Sequence, residues 1–155
     1  MEEEILILGI GNVLLGDEGV GVHIVRALEG ETLPGCVRLL DGGTGGFHLL
    51  SLFQQYQKII LIDATLDRRE PGTIRLLKPK YARDFPQTLS AHDIGLKDLV
   101  QSAIMLGFLP DILLITVSIT DNQPLSMELS EQVKQSIDEV INMVMKILEE
   151  LKTKN

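Results

Sequence analysis

Apolar positions fall along this chain in two alternating patterns. Short, largely apolar runs occupy residues 5–8, 37–41, 58–63 and 112–117, each set off by glycine, proline or charged residues. Such runs read as strands, and the nearly unbroken one at 58–63 suits a strand covered on both faces of a parallel sheet. Between them lie stretches with helical spacing. Val22, Val25, Ala27 and Leu28 give 20–28 an apolar side, and Phe47, Leu50 and Phe53 do the same for 47–55. A third helix is expected to open at Ser90–Asp93, run to about 106 and stop at Gly107. Ser90 and Asp93 have capping-box spacing, with Asp where Glu or Gln is usual. The last helix, 128–151, carries a stripe of Leu129, Val133, Ile137, Val140, Ile141, Val144, Ile147, Leu148 and Leu151. Residues 73–77 alternate after a turn at Pro71 and Gly72, as an edge strand or hairpin arm would. Residues 78–89 hold Pro79 and Pro86 and read as irregular, a long excursion of a kind that is often functional.

Strands alternating with helices imply a three-layer α/β domain with a mostly parallel sheet, one domain over residues 1–155. In such sheets ligands bind beyond the carboxyl ends of the strands. That rule selects Asn12, Asp17 and Glu18 after the first strand, and Asp41 with the glycine loop 42–46 after the second. It adds Asp63 at the third, and His92 at the helix that follows the long loop.

Composition narrows the function classes. The 155 residues are 45% hydrophobic and 23% charged, the balance of a globular chain. A net charge of -8 argues against a nucleic-acid footprint and against an anionic membrane surface. No apolar stretch reaches the ~18 residues of a transmembrane helix. The opening MEEEILIL is acidic where a signal peptide would be basic. Cys36 is the lone cysteine, which fits a reducing cytoplasm. It lies beside a Pro34 and Gly35 turn without a neighbouring histidine and reads as a small buried or loop residue, not a nucleophile. His23 and His48 read as packing or surface residues.

The first strand leads into ILILGIGNVLLGDEGVGVH at 5–23, and several chemistries can be weighed there. Gly9 and Gly11 follow a strand, and Asp41 stands where a ribose-binding acid would, but the third glycine of a dinucleotide fingerprint is Leu14. Asp17 and Glu18 would also repel a pyrophosphate at the helix N-terminus. The chain has neither a P-loop motif nor a nucleophile elbow, and Ser90 is better explained as a helix cap. A metal site fits better. Glu18, Asp63 and His92 could converge at one sheet edge, and two carboxylates with an imidazole suit zinc, nickel or a similar divalent ion. The structural alternative stays open: the two acids complement a helix dipole, Asp63 caps a loop, and His92 sits in a first turn.

GIGNVLLGDEGVGV, then DGGTGG, IDA and SAHD, in this order and at these separations, resemble the hydrogenase maturation proteases, the endopeptidases that process the large subunit of [NiFe] hydrogenases. The resemblance runs through nearly the whole chain. It implies an α/β/α sandwich with a five-stranded twisted sheet, mostly parallel with one antiparallel strand, for which 73–77 is the candidate. It implies that Glu18, Asp63 and His92 bind metal. It implies further that this metal is nickel borne by the precursor of the large subunit, from which a C-terminal extension is cut; the isolated protein could hold another divalent ion. Asp17 and Asp41 are the candidates for catalytic positioning or general-base roles, and Gly42, Gly43, Thr44, Gly45 and Gly46 for binding an extended peptide. The family further implies a monomer. A non-catalytic binding or chaperone module for an immature metalloprotein is the competing expectation.

Overall fold

The structure, a computed structural model, describes residues 3–86 and 96–153. Five strands form one sheet: β1 (Ile5–Gly9), β2 (Val37–Asp41), β3 (Lys58–Thr65), β4 (Ile74–Leu77) and β5 (Asp111–Ser118). Their order is β2-β1-β3-β5-β4. All neighbours are parallel except β4, which runs antiparallel to β5. The expected fold class is therefore present, and residues 74–77 are its odd strand. A short turn at Gly72, and not a helix, leads into that strand, so it reverses direction.

Four helices cover the two faces: α1 (Val20–Leu28), α2 (His48–Gln55), α3 (Leu96–Leu106) and α4 (Glu131–Thr153). Alternation along the strands sorts the core into two halves. Ile5, Ile7, Ile60, Ile62, Ile115 and Val117 pack with α1 and α4. Leu6, Leu8, Ile59, Leu61, Ile112 and Leu114 pack with α2 and α3. The inner strands β1, β3 and β5 are buried almost throughout, whereas the edge strands β2 and β4 are partly exposed.

Several boundaries differ from the sequence reading, each for a local reason. The inner side of α1 uses Ile24, while Ala27 is exposed. α4 begins at Glu131 and not at 128, because Ser130 is held at its start; Leu129 still packs on the core, from the loop. β3 continues two residues past Asp63, paired in register with β5 as far as Thr65 and Ser118. The 78–89 stretch is ordered as far as it is described. A 3-10 turn at Ala82–Asp84 is held by the Asp84 carboxylate, which accepts from the backbone N–H of Lys80 (3.1 Å) and Tyr81 (3.0 Å). Those bonds hold the Asp84 pKa below its ordinary value. Phe85 then enters the α2–α3 half of the core. The expected helix start at Ser90–Asp93 lies outside the described residues.

Candidate active site

Strand order reverses at β1, since β2 lies on one side of it and β3 on the other. The crevice above the carboxyl ends of β1 and β3 is thus the topological switch point, where open α/β sheets bind ligands. The opening glycines bring backbone into that crevice. Gly21, in the first turn of α1, lies so close to the strands that a Cβ there would sit 2.3 Å from the Ile62 carbonyl oxygen and 2.5 Å from that of Ile10. At Gly11 a Cβ would meet the Glu18 carbonyl oxygen at 2.1 Å. Only glycine permits these approaches. The result is a 3-10 turn, Gly16–Gly19, packed against β3. Half-buried Glu18 rides on that turn, and buried Asp63 is part of the strand beneath it.

Asp63 is fully inaccessible, and one carboxylate oxygen accepts from the N–H of Ala64 at 2.8 Å. It projects to the α2–α3 face, because Ile62 and Ala64 belong to the other half of the core. His92 lies outside the described residues. Among the described residues no group of three or more His, Cys, Asp and Glu is arranged to hold a metal ion. What the fold supplies is a carboxylate on the turn and another on the strand beside it, hard oxygen donors suited to a divalent cation together with an imidazole.

Asp17 faces elsewhere. Its two carboxylate oxygens accept from the Ser130 N–H and the Ser130 hydroxyl, each at 2.7 Å, and its own N–H donates to Gln123 Oε1 at 2.8 Å. The helix dipole it complements is that of α4, not that of the adjacent α1. This geometry gives Asp17 a positioning role, fastening the Glu18 turn to α4. Ser130 and Gln123 were missed by sequence reasoning, because no local pattern connects residues more than a hundred positions apart. On the nearby α1 surface, burial and then the Arg26 charge lower the His23 pKa, against an opposing pull from Asp17.

Asp41 ends edge strand β2 with its side chain 44% exposed. It accepts from the Gly43 N–H at 2.8 Å and lies 3.6 Å from the Arg26 guanidinium. It therefore shapes the glycine loop. Two backbone bonds continue the β1–β2 ladder into that loop, Gly42 N–H to Gly9 O (2.8 Å) and Gly11 N–H to Gly43 O (2.7 Å). Gly43, Gly45 and Gly46 have φ of 56°, 90° and 110°. No atom lies within 4 Å of where a Gly43 side chain would begin, and Thr44 is exposed. The loop thus offers bare backbone on the rim of the crevice.

Sequence reasoning also missed a change of character in the sheet floor. On the α2–α3 face the row Leu61–Leu114–Leu77 is apolar. The next row toward the carboxyl end is Asp63–Thr116–Arg75, and the one after contains Thr65 and Ser118. Asp63, Thr65, Thr116 and Ser118 are all buried, and the hydroxyls of Thr116 and Ser118 have no hydrogen-bond partner among the described residues. Thr116 and Ser118 were the only available signal, polar residues at the end of an apolar run. A cleft of about 480 Å³ lies at the opposite end of the strands, lined by residues such as Ile5, Cys36, Val37 and Leu148. No helix among the described residues is long and apolar enough to cross a membrane.

Comparison with known proteins agrees with this architecture. A sequence model of the family described as hydrogenase maturation protease matches residues 22–147. The hydrogenase 2 maturation protease of Escherichia coli (strain K12) is 34% identical over 149 residues, covering 94% of this chain and 91% of that protein. The hydrogenase expression/formation protein HupD of Rhodobacter capsulatus is 40% identical over 111 residues, 70% of this chain. The match spans about half of that relative, 53% of its length. Among solved structures, the hydrogenase maturating endopeptidase HybD from E. coli superposes with a TM-score of 0.81 at 34% identity, covering 95% of this chain and 93% of that one. The [NiFe] hydrogenase maturation protease HybD from Thermococcus kodakarensis gives 0.74 at 26% identity, covering 94% and 99%. With its switch-point acids, its glycine-packed turn and these relatives, the chain belongs to the hydrogenase maturation protease family.

Proposed function

We propose that this protein is an endopeptidase that removes a C-terminal extension from the precursor of a [NiFe]-hydrogenase large subunit after nickel insertion. The observation that carries the reading is the packing of the Glu18 turn against β3, the strand that bears Asp63, at the switch point. Glu18, Asp63 and His92 recognise the nickel that the substrate carries, and two carboxylates with an imidazole match such an ion while leaving positions for the substrate's own ligands. The nickel thereby registers the precursor on the enzyme. The Gly42 to Gly46 backbone receives the peptide in extended form, with Asp41 holding the loop's shape and Asp17 holding the turn. Hydrolysis adds water across one amide and yields a carboxylate and an amine. The protein acts as a monomer in the cytoplasm, where a lone cysteine stays reduced.

The test is incubation of the purified protein with nickel-loaded and nickel-free precursor, followed by intact-mass spectrometry. The reading predicts loss of a C-terminal peptide from the nickel-loaded form alone. Tight binding of the precursor with no loss of mass would replace the peptidase with a chaperone-like module.

A further inference from the structure

We infer that Arg75, with the polar floor beside it, forms a subsite for a carboxylate of the substrate peptide. The inference rests on the peptidase reading above. Arg75 lies on β4, directly across from Thr116 of β5, which in turn pairs with Asp63 of β3. Residues so paired share a sheet face. Leu77, two positions along β4, packs in the α2–α3 half of the core, and Ile74 packs in the other half. Arg75 is therefore on the face of Asp63, two strands away, roughly 10 Å by the usual strand spacing. An extended peptide covers that distance in about three residues.

Three features set this place apart from ordinary sheet surface. Arg75 is half-buried yet makes no hydrogen bond or ion pair with any described residue, in a chain holding 22 acids against 14 lysines and arginines. Acidic partners are abundant, so an unpaired guanidinium is not a matter of shortage. Between Arg75 and Asp63 lies the Thr116 hydroxyl, buried and without a partner among the described residues. Buried polar groups are normally paired, and packing alone would have repeated the leucines of the row below. A guanidinium presents a planar fork that matches a carboxylate bidentately. The ligand class is thus a carboxylate about three residues from the bond that is cut. It comes either from an acidic side chain or from the terminus of the extension.

The experiment compares wild type, Arg75→Gln and Arg75→Lys on nickel-loaded precursor, with precursor Kd measured separately by calorimetry. Arg75→Gln is expected to raise KM and Kd on the order of tenfold to a hundredfold with kcat nearly unchanged, and Arg75→Lys to recover part of the loss. Two altered precursors distinguish the source. If neutralising the acids of the extension removes the difference between wild type and Arg75→Gln, the ligand is a side chain. If adding a short alanine tail removes it, the ligand is the chain terminus. An unchanged KM and Kd in Arg75→Gln, a fall in kcat alone, or a difference that survives in both altered precursors overturns the subsite. A wild-type protein that binds the precursor but never cuts it overturns the peptidase reading instead, while the Kd ratio still decides the role of Arg75. Equal thermal midpoints for the three proteins confirm that folding is not what is being read.

Discussion

β3 and β5 present two different surfaces at their carboxyl ends. Toward α1 and α4 they stay apolar to the end, with Ile60, Ile62 and Ala64 on one strand, and Ile115 and Val117 on the other, followed by Ile119 just past its end. Toward α2 and α3 the apolar surface stops at Leu61 and Leu114, and Asp63, Thr65, Thr116 and Ser118 follow. Both ends are buried, so solvent does not explain the difference. One face is built for cohesion. The other replaces apolar side chains with buried polar ones, and two of its hydroxyls, on Thr116 and Ser118, have no hydrogen-bond partner among the described residues.

Substitutions on the two faces should therefore fail in different ways. On the polar face, Asp63→Asn keeps the side-chain volume and the acceptor for Ala64 while removing the charge. It is expected to slow precursor cleavage roughly a hundredfold to a thousandfold, as is Glu18→Gln, with denaturant midpoints near wild type. Cleavage at the normal rate by both variants would end the division of labour between the faces. On the apolar face, Ile115→Ala should cost about 3 kcal/mol in urea unfolding, with kcat per folded molecule unchanged. A large fall in kcat there would show that the cohesive face also serves the reaction. Asp17→Asn retains one acceptor for Ser130 but loses the charge at the start of α4. A loss of about 1.5 kcal/mol in stability is expected, with a kcat loss far smaller than that of Asp63→Asn. Equal losses of kcat would make Asp17 a participant in the chemistry. Thr116→Val removes an unpaired buried hydroxyl at constant volume and should raise stability by about 1 kcal/mol in the same assay. Lower stability would mean that the hydroxyl has a structural partner, and the polar face would lose its distinguishing mark.

The class of fold was legible because strand and helix periods alternate along the chain, and because Pro71 and Gly72 leave no room for a crossover helix before β4. Glu18 was legible too, since glycines crowd the turn that carries it. What escaped was long-range. The partner of Asp17 is 113 residues away, so its local setting next to α1 pointed to the wrong helix. The row Asp63–Thr116–Arg75 exists only once the register of three strands is known, and alternation within one strand does not say which face meets which helix. The start of α4 escaped for a related reason, because Leu129 prolongs the apolar stripe into a residue that packs from a loop.

The fastening of Asp17 to Ser130 also has a consequence for how the molecule comes into being. It closes a loop spanning most of the chain, and contacts of such separation form late because the entropy of closing them comes before any gain. During synthesis the strands emerge before the serine that locks the Glu18 turn. A nascent chain would carry both acids yet hold the first of them loosely, so the turn that bears Glu18 would be among the last parts of the molecule to take its final shape.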